Sequence, residues 1–438
     1  MISEYRDLHH KIALPVIVWI CLFMISGGMW VHAAEVKVTK SNEGWLLLVD
    51  GKPFFIKGVC FQPMKVGENA HDNSARDWMV MDDDEDGRND VAYQSWVDAN
   101  RNNQQEADEQ EIGDFQLLKN MGSNTIRIYH HPSAKFKIKK INDGNNLFNY
   151  YPNKKLLRDL HRKYGIMVMM GDFLGSFAIG SGASWDAGTD YLNQEHLRNM
   201  MMSVKDMVLE YKDEPYILIW ALGNENNYPI PSRTNCSTYP KEFAIFINKV
   251  ARWIHEVDPN HPVCLVNGET ELIEVYAKYA PQIDIFGLNC FRNEPGFGRL
   301  WYEVAEKYDK PVLLTEFGIG NSKMLTILNE DVQVNIHRNS WIDILSHAPG
   351  RKSPGNAIGG FAFQWLDNWG QDGDPWVHNL NTETLSLEWQ GISSQGDGSH
   401  SPLLRQPRKV YNTYRELWEV PVFQEIHGSI EFENNFVE

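Results

Sequence analysis

Apolar residues fall along this chain in short, nearly unbroken runs rather than in strict alternation with polar ones. Residues 54–61, 124–129, 166–172, 216–225, 263–267, 283–291, 312–317 and 358–365 are each of strand length and rich in β-branched and aromatic side chains. Between them, residues 113–121, 154–164, 197–211, 241–257 and 272–279 repeat apolar positions every three or four residues, which is the helical period. A strand without a polar face belongs to a sheet covered on both sides. Eight strand-then-helix units of this kind predict an α/β fold, a (β/α)8 TIM barrel over residues 36–420, closed by a helix near 410–420. Asp50-Gly51 sits between two further apolar runs and predicts an N-terminal β-hairpin ahead of the barrel. Residues 421–438 read as a C-terminal tail. A long acidic stretch, 77–112, joins the first barrel strand to its helix and falls on the face where barrels carry their sites.

Two of the apolar runs carry a glutamate at their C-terminal end: Trp220-Ala-Leu-Gly-Asn224-Glu225 on the fourth strand and Leu314-Thr-Glu316-Phe-Gly318 on the seventh. A carboxylate at the tip of a buried strand is costly unless it is paired or used. Two of them, three strands apart around a barrel, can face each other across its mouth. That is the arrangement glycoside hydrolysis needs, with one carboxyl giving a proton and the other attacking as a carboxylate. Arg127 ends the second run, where a buried guanidinium requires an acidic partner.

The chain resembles the clan of retaining (β/α)8 glycoside hydrolases that includes families 2 and 5. Phe55-Ile-Lys-Gly58, Asn124-Thr-Ile-Arg127, the Asn224-Glu225 segment, Trp253-Ile-His-Glu-Val-Asp-Pro-Asn-His-Pro-Val263, the Glu316-Phe-Gly318 segment and Phe363-Gln-Trp365 carry the likeness. The resemblance implies Glu225 as acid/base, Glu316 as nucleophile, Arg127 as the partner of Glu316, Asn224 on the sugar 2-hydroxyl and Trp365 as a stacking platform. His131, Asp172 and Asn289 are further candidates for sugar contacts at strand ends. One departure stands out: the clan's strand-six tyrosine, which hydrogen-bonds the nucleophile, is replaced here by Phe291. A phenyl ring cannot donate that bond. The function expected is an exported retaining glycosidase acting on a β-linked oligo- or polysaccharide, with no organic cofactor. A transglycosylase and a non-catalytic sugar-binding barrel are the alternatives.

Composition changes the picture in three places. The formal net charge of −17 repels phosphate backbones and argues against nucleic acid as a partner. Residues 12–31 carry no charge and are followed by small residues at Ala33-Ala34, so residues 1–33 read as an export signal, or as a membrane anchor if uncleaved. Cys60, Cys236, Cys264 and Cys290 have no metal-ligand spacing, and a core this large needs no disulfide framework. Within the acidic stretch, Asp82, Asp84 and Asp86 precede Gly87 with the spacing of oxygen ligands in a calcium loop, although Tyr93 stands where such a loop has its glutamate. A solvated acidic tip is the competing reading.

Overall fold

The computed structural model describes residues 33–69, 77–131, 153–229, 233–292, 295–320, 329–371, 373–378, 387–426 and 429–432. The segment expected to direct export or anchor the chain, residues 1–33, lies outside them except for Ala33. Among the described residues no helix is long and apolar enough to cross a membrane.

The hairpin about Asp50-Gly51 forms from β2 (Gly44–Val49) and the short β3 (Lys52–Pro53), and β1 (Val36–Ser41) adds to the other edge of β2 through a turn at residues 42–43, so that the three make one small antiparallel sheet. It lies across the end of the barrel where strands begin. Val36 N–H donates to the Asn260 carbonyl and Trp45 N–H to that of Gly355, both in loops that lead into strands. The barrel strands are β4 (Ile56–Cys60), then, after the short β5 (Trp96–Val97), β6 (Thr125–Ile128), β7 (Met167–Asp172), β8 (Ile217–Leu222), β9 (Val263–Gly268), β10 (Ile285–Asn289), β11 (Val312–Phe317) and β12 (Ala357–Ala362). They close in sequence order, all parallel, with β12 pairing β4. The eight expected runs are the eight strands.

Alternation sorts the side chains into two cores. Ile56, Met167, Met169, Ile219, Ala221, Cys264, Val266, Ile285, Leu313 and Ile358 fill the barrel interior and meet Val36 and Leu47 of the small sheet. Their neighbours Ile126, Ile128, Val168, Met170, Trp220, Leu222, Leu265 and Leu288 face outward onto the helices. Each barrel strand is followed by a helix. Three of these, Lys154–Tyr164, Gln194–Tyr211 and Glu330–Ser346, begin with asparagine caps at Asn153, Asn193 and Asn329.

The acidic stretch is folded. Trp78 packs edge-on against Phe61 and Phe115, Asn89 caps a helical turn at Asp90–Gln94, and β5 pairs with β14 (Leu404–Pro407), which follows β13 (Ser393–Ser394). Part of the C-terminal tail forms a second hairpin, β15 (Phe423–Ile426) with β16 (Ser429–Phe432), and Phe423 packs on Phe55.

Candidate active site

Arg127 and Tyr129 alternate with the outward-facing Ile126 and Ile128, so both point into the barrel mouth. Arg127 is almost fully buried. Its Nη1 donates to Glu316 Oε1 and to the Thr315 carbonyl, both at 2.9 Å, and its Nη2 donates to Asn224 Oδ1 at 2.7 Å. Tyr129 Oη donates to the same Glu316 oxygen at 3.0 Å, and the Arg127 guanidinium lies 4.2 Å over its ring.

Glu316 reaches this position because β11 carries an extra residue. Its pairing with β12 runs from Leu314 opposite Gly360 to Phe317 opposite Ala362, three residues against two. Such a bulge re-aims side chains that regular alternation would send outward. Thr315 turns its hydroxyl to Asn289 Oδ1 at 2.8 Å, and Glu316 joins Arg127. Glu225 follows β8 by way of Gly223 and adopts a left-handed backbone with φ 55°, unusual for a side chain of this size. Its N–H donates to the Val266 carbonyl, and Ser176 Oγ donates to the carbonyl of Asn224.

Asn289, at the end of β10, links the two glutamates. Its Nδ2 donates to Glu225 Oε1 and Asn224 Oδ1, both at 3.1 Å, while its Oδ1 faces Arg127 Nη1 at 3.4 Å. Glu225, Glu316, Arg127, Asn224 and Asn289, drawn from the ends of four strands, therefore form one connected network.

Burial pushes the carboxyl of Glu225 up to about 7, and the charge of Glu316 adds to this. Burial raises Glu316 as well, but there the Arg127 guanidinium and the Tyr129, Arg127 and Asn289 hydrogen bonds pull the other way. Arg127 acts on Glu225 only as its weakest cause. Glu316 is thus the easier of the two to keep ionised, and Glu225 the easier to keep protonated near neutrality.

Other candidates lie apart from this network. Trp365 is fully buried, and its indole N–H donates to Asp114 Oδ2 at 2.7 Å, leaving no face for a sugar. His131 is buried, with Nε2 3.0 Å from Tyr211 Oη. Asp172 is buried too, and it accepts from Ser203 Oγ and the Leu174 N–H. These three serve the packing behind the mouth. Phe291 meets Phe363 edge-on. Tyr129 was not among the residues singled out from sequence, yet it brings a phenol to the nucleophile position from strand two. Its spacing of two from Arg127 was the available signal.

Comparison with known proteins follows the same lines. The profile of the glycosyl hydrolases family 2 TIM barrel domain matches residues 137–340. The match covers just under half of the chain. Curated proteins similar to this chain include the β-glucuronidases of Homo sapiens, 22% identical over 302 residues (65% of this chain, 33% of the relative), and of Paenibacillus borealis, 22% identical over 221 residues (47% and 31%). The chain thus spans about a third of the length of the curated relatives it matches. Among solved structures, a β-galacturonidase from Eisenbergiella tayi bound to galacturonate aligns with TM-score 0.52 and 16% identity over 88% of this chain and 54% of its own. Bacteroides uniformis β-glucuronidase 2, covalently bound to a cyclophellitol-6-carboxylate aziridine, aligns with TM-score 0.53 and 17% identity over 90% and 39%. At these identities the structural likeness speaks for the fold.

Proposed function

We propose that this protein is a retaining β-glycosidase working by double displacement, with Glu316 as nucleophile and Glu225 as acid/base. The observation that carries the reading is the unequal environment of the two glutamates within one network. Arg127 and Tyr129 both bond Glu316 Oε1, so Oε2 is the oxygen offered to the anomeric carbon. As the carbon–Oε2 bond forms, the glycosidic bond breaks and Glu225 gives its proton to the departing oxygen. Water then attacks the glycosyl ester, Glu225 takes the water's proton, and Glu316 leaves as a carboxylate. The Asn224 amide oxygen is taken by Arg127 and Asn289, which directs its NH₂ to a sugar hydroxyl.

The relatives' names make an aryl β-glucuronide the first substrate to try, beside β-galacturonide, β-glucoside and β-galactoside. Turnover with retained anomeric configuration, followed by NMR and abolished in Glu316→Ala, is the expected result. Binding of these glycosides without turnover by the unaltered protein would refute it. The same reading places the enzyme outside the cytoplasm, from the uncharged run at residues 12–31. Fractionation of expressing cells tests that, and a product confined to the cytoplasm would refute it.

A further inference from the structure

The loop between the first barrel strand and its helix brings Asp82, Asp84 and Asp86 together, with one carboxylate oxygen from each within 4.8 Å of the others. Among the described residues neither Asp82 nor Asp84 is paired with a cation, whereas Asp83 is held by Lys65 at 2.5 Å and Asp86 lies at 4.0 Å from Arg88. Clustered surface acids alone are common and carry nothing. What sets this cluster apart lies beneath it. Gln94 is 3% exposed, and its amide is aimed into the cluster, with Nε2 3.3 Å from both Asp84 Oδ2 and Asp86 Oδ2. Among the described residues its buried Oε1 has no hydrogen-bond partner, and neither does the buried Asp82 Oδ1. A buried amide oxygen and a buried carboxylate oxygen without donors cost free energy as they stand. A cation among the three carboxylates supplies what both lack: it binds Asp82 Oδ1 directly and lets the Gln94 amide turn its oxygen inward.

We propose that Asp82, Asp84, Asp86 and Gln94 form a calcium site in the loop that leads from the first barrel strand. The donors are all oxygen, which selects a hard cation over zinc or copper. Counted from Asp82, the seventh residue, Arg88, offers a main-chain oxygen and the ninth is Asp90, as in calcium loops. Tyr93, at the twelfth position, is committed to Asp159 through its hydroxyl, and the buried Gln94 beside it takes its place. This proposal does not depend on the glycosidase reading. Bound calcium ties together a loop that packs through Trp78 on Phe61, directly after β4, and so stiffens one wall of the mouth.

The test is calcium titration into the chelator-stripped full chain by calorimetry, paired with thermal melts. One site is expected, with a raised melting temperature. Asp84→Asn and Gln94→Leu are each expected to weaken binding about tenfold or more, as loss of a ligand does. Glu85→Gln removes the same charge as Asp84→Asn from the same loop without touching the cluster, and should bind within about twofold of the parent. No binding up to roughly 10 mM, beyond the weak end of known calcium modules, overturns the proposal. So does equal damage from Glu85→Gln and Asp84→Asn, or magnesium binding as tightly as calcium.

Discussion

Tyr129 and Asn289 both favour ionised carboxyls, Tyr129 at Glu316 and Asn289 at both glutamates. The Tyr129 hydroxyl stabilises the charged form of Glu316, so Tyr129→Phe raises that carboxyl further. The acid limb of the kcat/KM profile then moves to higher pH, and activity at the optimum falls about 10- to 100-fold, the worth of a hydrogen bond to a charged group. Asn289 stabilises the charged form of Glu225. Its removal in Asn289→Ala raises the proton-donor carboxyl, so the alkaline limb, expected near pH 7 in the parent, shifts upward even as the rate drops. Glu225→Gln abolishes that limb, because no titrating donor remains. A pH series of kcat/KM on an aryl glycoside checks all three. Limbs that stay in place in Tyr129→Phe and Asn289→Ala would sever these residues from the chemistry.

At the scale of the element, geometry is set by close backbone approach. A Cβ built on Gly171 of β7 would lie 2.2 Å from the carbonyl oxygen of Tyr129, main chain against main chain. No side-chain rotation relieves that contact, so Gly171→Ala must displace the end of β6 that carries Tyr129. A stability loss of about 1–3 kcal/mol is expected in urea unfolding, together with a rate loss resembling that of Tyr129→Phe. A variant losing stability but not rate would show that Tyr129 tolerates the shift. The bulge in β11 has the same character. Strand propensity marks Val312–Phe317 as a strand, but only the pairing with β12 shows that Thr315 and Glu316 both turn toward the mouth.

Across the whole molecule, buried charge pairs fasten the long connections to the barrel. Arg405 and Asp114, both with fully buried side chains, are joined by two hydrogen bonds at 2.7 and 2.9 Å, and Ser95 and Trp365 donate to the same carboxylate. Arg408 and Asp367 repeat the device nearby. Asp114→Ala strands a guanidinium in the core and should cost about 3–5 kcal/mol. The exposed pair Lys40–Asp309 should cost at most about 1 kcal/mol when broken by Asp309→Asn. Urea unfolding of both variants compares them, and similar losses would contradict the difference in burial. The order of strands, the barrel and the two glutamates at strand ends were legible in the chain, because apolar run length and strand-end position are local properties that any parallel barrel must write into its sequence. Trp365, His131 and Asp172 were not distinguishable from site residues by position. Whether a polar group at a strand end faces the mouth or the packing behind it depends on which distant partner, here Asp114, Tyr211 or Ser203, reaches it first. The replacement of a strand-six phenol by Tyr129 from strand two was decided by tertiary structure alone: two strands far apart in sequence aim at one point in space, and only closure of the barrel defines that point.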